Sequence, residues 1–286
     1  MQNSDRGKGI YSGWSLDGRD RRHIQSMMPL WKGLYESYFR VQTDGWDKIP
    51  AGQVLIVGSH NGGLAAPDMH MMMYDWFRRF GVDRVVYGLM HTQVSQAVPQ
   101  IAELAVRMGA VLAHPRMAEA AYKSGASVLV YPGGVTDVFR PHRQRDRICL
   151  NNNAAFIKLA LRWDIPIVPM ISWGAHDTLI ILENIYPLVK QLHEWGMPWL
   201  GGIDPIAFPI YLGLPWGLGI GPLPNIPLPV KIYTRVLDPI VFKRYGREAS
   251  LDRNYVATCY EHVRSQMQTG LSTLQHTTIG SRSAKP

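Results

Sequence analysis

The chain has 286 residues, 46% of them hydrophobic, and a formal net charge of +8. That is enough apolar material for a large packed domain, and two cysteines, Cys149 and Cys259, are too few for a disulfide scaffold and point to a reducing compartment. The positive charge favours phosphate-bearing partners, but no lysine run of the kind that coats nucleic acid is present, so nucleic acid is set aside as a partner.

The polar opening, residues 1–18, is expected to be disordered and lacks the apolar stretch of a secretory signal. Between Asp20 and Val41, the residues Ile24, Met27, Met28, Trp31, Leu34, Tyr35, Tyr38 and Phe39 recur at steps of three and four. This spacing predicts an amphipathic helical segment, restarting at Pro29. Arg19, Arg21, Arg22, Lys32 and Arg40 accompany the stripe. Two readings fit it: a helix lying in a membrane interface, or a helix packed on the main domain.

From Gln53 the rhythm becomes strand, turn, helix. Strands are predicted at Val54–Val57, Arg84–Gly88, Ala110–Ala113, Ser127–Tyr131, Ile165–Ser172 and Val230–Val236. Helices are predicted at Leu64–Phe80, Ser95–Met108, Met117–Lys123, Asn153–Trp163 and Thr178–Trp195. Short apolar strands alternating with helices predict a layered α/β fold with a mostly parallel central sheet flanked by helices. The segment Pro205–Pro224 carries no charge but five prolines and four glycines. It therefore reads as irregular structure, either a buried cover or a lipid-facing surface, and not as a membrane span. A last helix is expected over Asp252–Leu274, with the final dozen residues loose. The organisation expected is thus 1–48 as a disordered start plus N-terminal amphipathic helices, 49–245 as the α/β domain, and 246–286 as a C-terminal helix and loose tail.

Four stretches carry candidate chemistry. In "VLIVGSHNGGLAAPD" an apolar strand ends in His60, glycines follow, and Asp68 opens the next helix. Functional groups of α/β sheets gather at the carboxyl ends of strands. There Asp68 can accept a bond from the imidazole and leave its other nitrogen free as a base; the plainer reading is a turn histidine and a helix-terminal carboxylate. In "VLVYPGGVTDVFRPHRQRDR" a second strand ends in Gly133 and Gly134, whose backbone amides can face an oxyanion. Asp137, Arg140, His142, Arg143, Arg145 and Arg147 follow, a phosphate clamp or a solvated basic loop. In "GAVLAHPR" Arg116 is a further candidate for a substrate phosphate or carboxylate, while His114 reads equally well as a turn residue. "DIPIVPMISWG" reads as a structural wall. No dinucleotide fingerprint, Walker loop, nucleophile elbow or His-Glu-x-x-His pair is present, and no metal or bound cofactor is expected.

In their order, "SHNGGLAAPD", "GAVLAHPR", "VYPGGVTD" and "IPIVPM" resemble the blocks of the glycerolipid acyltransferase superfamily, over about Gly52 to Phe242. The Pro-Gly-Gly followed by an acid resembles most the diacylglycerol acyltransferase-like and phytyl ester synthase-like branch. Two departures stand out: Asp68 lies eight positions after His60 where the family block has five, and Gly133 stands where the third block has Glu. The resemblance implies an acyl-CoA-dependent O-acyltransferase with His60 as general base oriented by Asp68. Gly133, Gly134, Asp137, Arg116, Arg140 and Arg143 would then serve the oxyanion and the substrate. It implies acyl-CoA or acyl carrier protein as co-substrate, a lipid acceptor, and peripheral association with the inner face of the membrane from the cytoplasm. A hydrolase using water at the same site, or a non-catalytic lipid-binding protein, are the alternatives.

Overall fold

In the computed structural model, which describes residues 9, 11–92, 99–199, 202 and 204–283, the run Leu55, Ile56, Val57 lies fully buried at the heart of a seven-stranded sheet. In chain order the strands are β1 (Gln42–Asp44), β2 (Leu55–Val57), β3 (Val86–Met90), β4 (Ala110–Leu112), β5 (Ser127–Val130), β6 (Ile167–Trp173), β7 (Ile180–Asn184), β8 (Pro209–Gly213), β9 (Gly217–Ile220) and β10 (Tyr233–Val236). The large sheet runs β1-β10-β6-β2-β5-β3-β4. From β6 to β4 every pairing is parallel. Strand β10 is antiparallel to β6, and β1 is parallel to β10. This is the layered α/β architecture expected, with mostly parallel strands.

A parallel strand covered on both faces needs apolar residues at every position, and β2 shows the division. Leu55 and Val57 enter one core with Val128, Ile167 and Ile171, under helices α4 (Pro115–Lys123), α6 (Ala155–Trp163) and α9 (Arg253–Ser283). Val54 and Ile56 enter the other with Leu129, Val168 and Met170, under α1 (Arg21–Gly33) and α2 (Pro67–Phe80). Met71 and Met72 of α2 are core residues. The remaining helices are α3 (Pro99–Arg107), α5 (Gly134–Val138), α7 (Tyr186–Glu194) and α8 (Gly246–Leu251).

Helix α1 packs on the main domain, as the second of its two readings has it. Ile24, Trp31, Tyr35 and Phe39 are buried in the second core, and Trp31 stacks on Phe77 of α2 at 6.1 Å. Asp20 caps α1 by accepting from the backbone N–H groups of Arg22 and His23. Pro29 lies inside α1 and does not restart it; one turn of π-helix, Leu34–Tyr38, follows.

Other expectations shift. The predicted helix Thr178–Trp195 divides into a 3-10 turn at Ala175–Thr178, strand β7 and helix α7. The Ile180-Ile181 pair favours the strand, and Pro187 falls in the first turn of α7, where a missing N–H costs nothing. The segment Pro205–Pro224 is not irregular throughout: β8 pairs antiparallel with β7 on one side and with β9 on the other, forming a second, three-stranded sheet. The C-terminal helix runs on to Ser283, through most of the segment expected to be a loose tail. The predicted start of Ser95–Met108 lies outside the described residues, while Pro99–Arg107 is helical. The expected disordered start falls partly outside them as well, and Leu16 packs on the first core. No helix among the described residues is long and apolar enough to cross a membrane.

If α1 is part of the core, Trp31→Ala costs about 3–5 kcal/mol of stability, read as a lowered urea midpoint. An unchanged midpoint would return the helix to the surface.

Candidate functional site

Strand β2 ends at Val57 and the chain turns sharply through Gly58-Ser59-His60-Asn61-Gly62-Gly63. Gly62 holds φ +73°, and a side chain there would run into the Thr178 hydroxyl and the Pro67 ring. Ala66, the N-cap of α2, sits at φ 36° and ψ 57°, a left-handed conformation strained for a residue with a Cβ. The loop is thus forced tight between the end of β2 and the first turn of α2, which carries Asp68.

The loops after β2, β5 and β6 converge here, and one buried ion pair fastens them. Asp137 is fully buried in α5, and Arg140 is 3% exposed. The Asp137 carboxylate accepts from the Arg140 guanidinium, from the Ser59 hydroxyl (2.9 Å) and from the backbone N–H of His60. Arg140 also donates to the His60 carbonyl (3.3 Å), the Asn61 side-chain oxygen (3.1 Å) and the Gln144 carbonyl (3.0 Å). The Arg140 carbonyl in turn accepts from Nε2 of buried His176, in the loop after β6 (2.8 Å). Burial pushes the Asp137 carboxyl up, to about 7, against the opposing pull of Arg140 and the donors on His60 and Ser59. Three donors aimed at one carboxylate are the surroundings of its ionised form.

His60 lies at the centre of this convergence, half-buried. Its ring stacks on Tyr131, from the end of β5, with centroids 4.5 Å apart. Among the described residues Nδ1 is buried without a hydrogen-bond partner, and Nε2 has none there and is not enclosed. Burial first, and the Arg140 charge second, depress the imidazole to about 4. The ring is therefore neutral at pH 7, with a lone pair available.

Asp68 is buried beside this loop, but the expected bond to His60 Nδ1 is not made. Its oxygens accept instead from the Asn61 amide (2.8 Å) and the Met69 backbone N–H (3.0 Å). Burial raises the carboxyl to about 6, opposed by the Asn61 amide and the Met69 N–H. Burial first, and the Asp68 and Asp137 carboxylates after it, push the Tyr131 hydroxyl well above its ordinary range.

The other expected site residues divide. Asp137 has its oxygens taken up internally and does not face a substrate, and Arg140 is a buried clasp, not a phosphate clamp; in each case the partner within three residues removes the charge from solvent. Gly133 is buried, and a Cβ there would strike the Cys149 carbonyl and the Asp137 side chain, so it secures close packing. The Gly134 N–H points back to the Tyr131 carbonyl (3.4 Å). Arg143 is exposed and pairs with Glu183 (2.8 Å). Arg116 is exposed at the start of α4, where His114 Nδ1 accepts from its backbone N–H (3.2 Å); His114 is thus a helix cap. His142 and Arg145 both approach Asp177. Sequence reasoning missed Ser59, Asn61, Tyr131 and His176. The first two flank His60 and could have been noted as polar residues at a strand end; nothing local marks His176. Among the described residues no cluster of three or more His, Cys, Asp or Glu side chains could hold a metal ion.

Residues 40–173 match the family model described as Acyltransferase, a span that includes His60, Asp68, Gly133, Asp137 and Arg140. Uncharacterized proteins of Mycobacterium tuberculosis and Mycobacterium bovis are 28% identical over 250 residues, covering 84% of this chain and 63% of theirs. One from Mycobacterium leprae is 24% identical over a similar span. The chain therefore spans less than two thirds of the length of these relatives. Among solved structures, the fold is similar to that of the 1-acyl-sn-glycerophosphate acyltransferase PlsC of Thermotoga maritima. That match has a TM-score of 0.51 and 16% identity, over 88% of this chain and 79% of the other.

Breaking the clasp leaves a buried charge alone. Arg140→Ala is expected to destabilise the fold by about 3–5 kcal/mol, measured by chemical denaturation. A surface phosphate ligand would change stability by far less.

Proposed function

We propose that the protein transfers a fatty acyl group from the thioester of acyl-CoA or acyl carrier protein to a hydroxyl of a lipid acceptor. One observation carries this reading: within the stretch matching the acyltransferase family, a neutral imidazole at the end of β2 presents an open Nε2 on a backbone fixed by Asp137. His60 Nε2 takes the proton of the acceptor hydroxyl as its oxygen attacks the thioester carbonyl. The carbon–sulfur bond of the resulting tetrahedral intermediate then breaks, and the proton passes from His60 to the departing thiolate. Charging the ring creates a need for a counter-ion. Asp137 is already committed to Arg140, so Asp68 is the carboxylate left to exchange Asn61 for the imidazolium. Arg116, Arg143 and Arg147, all exposed, keep the role of attracting the phosphates of the acyl carrier or of a phospholipid acceptor. The Pro132-Gly133-Gly134…Asp137 block supports the diacylglycerol acyltransferase-like branch, and the charge balance supports a cytoplasmic, peripheral site of action.

The test is incubation with isotope-labelled acyl-CoA and a panel of lipid hydroxyl acceptors, with products read by mass spectrometry. An acylated lipid formed by wild type, and reduced about 10²–10⁴-fold in His60→Ala, is expected. Release of free fatty acid alone, equal in both proteins, would overturn the proposal.

The acid limb of activity follows from two groups. His60, depressed to about 4, is in its neutral, basic form above that pH, and Asp68, raised to about 6, is ionised only above 6. If both are needed, kcat/KM rises with pH through about 6. In Asp68→Asn the plateau falls and the limb moves toward 4. A limb that stays put in that variant removes Asp68 from the reaction.

A further inference from the structure

The three-stranded sheet has two unlike faces, and neither is polar. Inward, Ile181 and Tyr211 pack with Leu179 on Val138 and Phe139, the residues just after Asp137. Gly219 lies against the Tyr211 ring. Outward, the cross-strand partners are Leu212 with Leu218 and Ile210 with Ile220, and Ile180 pairs with Leu212 on the other side. Leu218 is 60% exposed, Ile220 54% and Leu212 41%. An antiparallel sheet with one face in water ordinarily alternates apolar inside and polar outside; here the alternation is missing. Exposed Leu214 and Trp216 form the hairpin tip, and exposed Leu223 and Ile226 lie on the returning segment, where Ile226 bridges back to Leu214. No charged side chain occurs between Asp204 and Lys231.

We infer that this face docks on a lipid bilayer and sets the His60 loop at its surface. Three observations favour lipid over a protein partner. The exposed large side chains of the face are all apolar, so a protein partner would find little there to hydrogen-bond. The Trp216 indole N–H is already bonded to the Pro224 carbonyl (2.7 Å), so the ring can leave water without an orphaned donor. Cations flank the face: Arg40 donates to the Pro229 carbonyl, Lys231 follows, and Arg143, paired with Glu183, also donates to the Leu182 carbonyl. With a net charge of +8 this suits an anionic leaflet. Strand β9 is an edge whose backbone needs water, so the contact is shallow, at headgroup depth.

The surface is continuous with the site. A Cβ on Gly63, three residues after His60, would lie 3.3 Å from the Asn225 side-chain oxygen, and the neighbouring Leu64 is 55% exposed. The Tyr38 hydroxyl donates to the Pro227 carbonyl (2.7 Å), tying the same segment to the end of the N-terminal helical region. An acyl chain in the leaflet would thus meet an apolar rim leading to the imidazole. The purpose of the docking rests on the acyl-transfer reading; the docking itself is measured without turnover.

The probe is vesicles of phosphatidylcholine with phosphatidylglycerol, tested by co-sedimentation with wild type, His60→Ala and the double variant Leu218→Asp/Ile220→Asp. Wild type and His60→Ala are expected to bind alike, and the double variant at least tenfold more weakly, with an unchanged melting temperature. Quenching of tryptophan fluorescence by brominated lipid is expected to drop in Trp216→Phe, which keeps the apolar tip. Equal binding by the double variant, or a wild type that ignores vesicles and instead dimerises through this face in sedimentation velocity, overturns the inference. Binding as expected by a protein that acylates no acceptor would sink the enzymatic reading and leave the docking surface standing.

Discussion

The site depends on a charge pair buried almost completely from solvent. Asp137 and Arg140 lie three residues apart, on and just after one short helix, yet between them they hold the Ser59 hydroxyl, both backbone polar groups of His60, the Asn61 side chain and, through the Arg140 carbonyl, His176. Burying such a pair costs desolvation that its mutual attraction need not exceed, so its value is not simply added stability. What it supplies is position. Loops are the parts of an α/β domain most free to move, and three of them meet at His60 from three different strands. The pair turns that meeting into a fixed frame.

That frame explains the electrical state of the imidazole. Burial does most to disfavour a charge on the ring, and the same guanidinium that holds the His60 carbonyl adds to the effect. A histidine in water would be partly protonated near neutrality; this one is kept neutral by its own scaffold. The carboxylates around it are specialised in the same way. Asp137 is spent on holding the loop, while Asp68 rests on an uncharged amide, Asn61, which it can give up at smaller electrostatic cost than an arginine.

Much of this was legible in the sequence because parallel strands buried on both faces leave contiguous apolar runs. Val54–Val57 and Ile165–Ser172 were found for that reason, and His60 was located because it follows such a run into a pair of glycines. Where helix and strand patterns overlap, the reading failed: Thr178–Trp195 has enough apolar residues for a helix, and only the pairing of Ile180 and Ile181 with Tyr211 and Leu212 decides for a strand. The hairpin was hidden by its own prolines. Pro209 opens β8 and Pro215 lies in the turn, the positions in a sheet that do not need a proline N–H. The role of Arg140 was invisible because a run of arginines is normally a solvated face, and nothing in its neighbours marks which one the fold will swallow. His176 is drawn in by a carbonyl, and sequence carries no sign of that.

The solitary Nδ1 of His60 has a consequence of its own. In a hydrolytic triad the carboxylate holds the ring proton on one nitrogen before any substrate arrives. Here no hydrogen bond among the described residues fixes its seat, so the resting ring can carry hydrogen on either side, and only one of the two forms has a lone pair directed outward. Readiness is then a matter of equilibrium inside the ring, and whatever enters the mouth of the site takes part in choosing it.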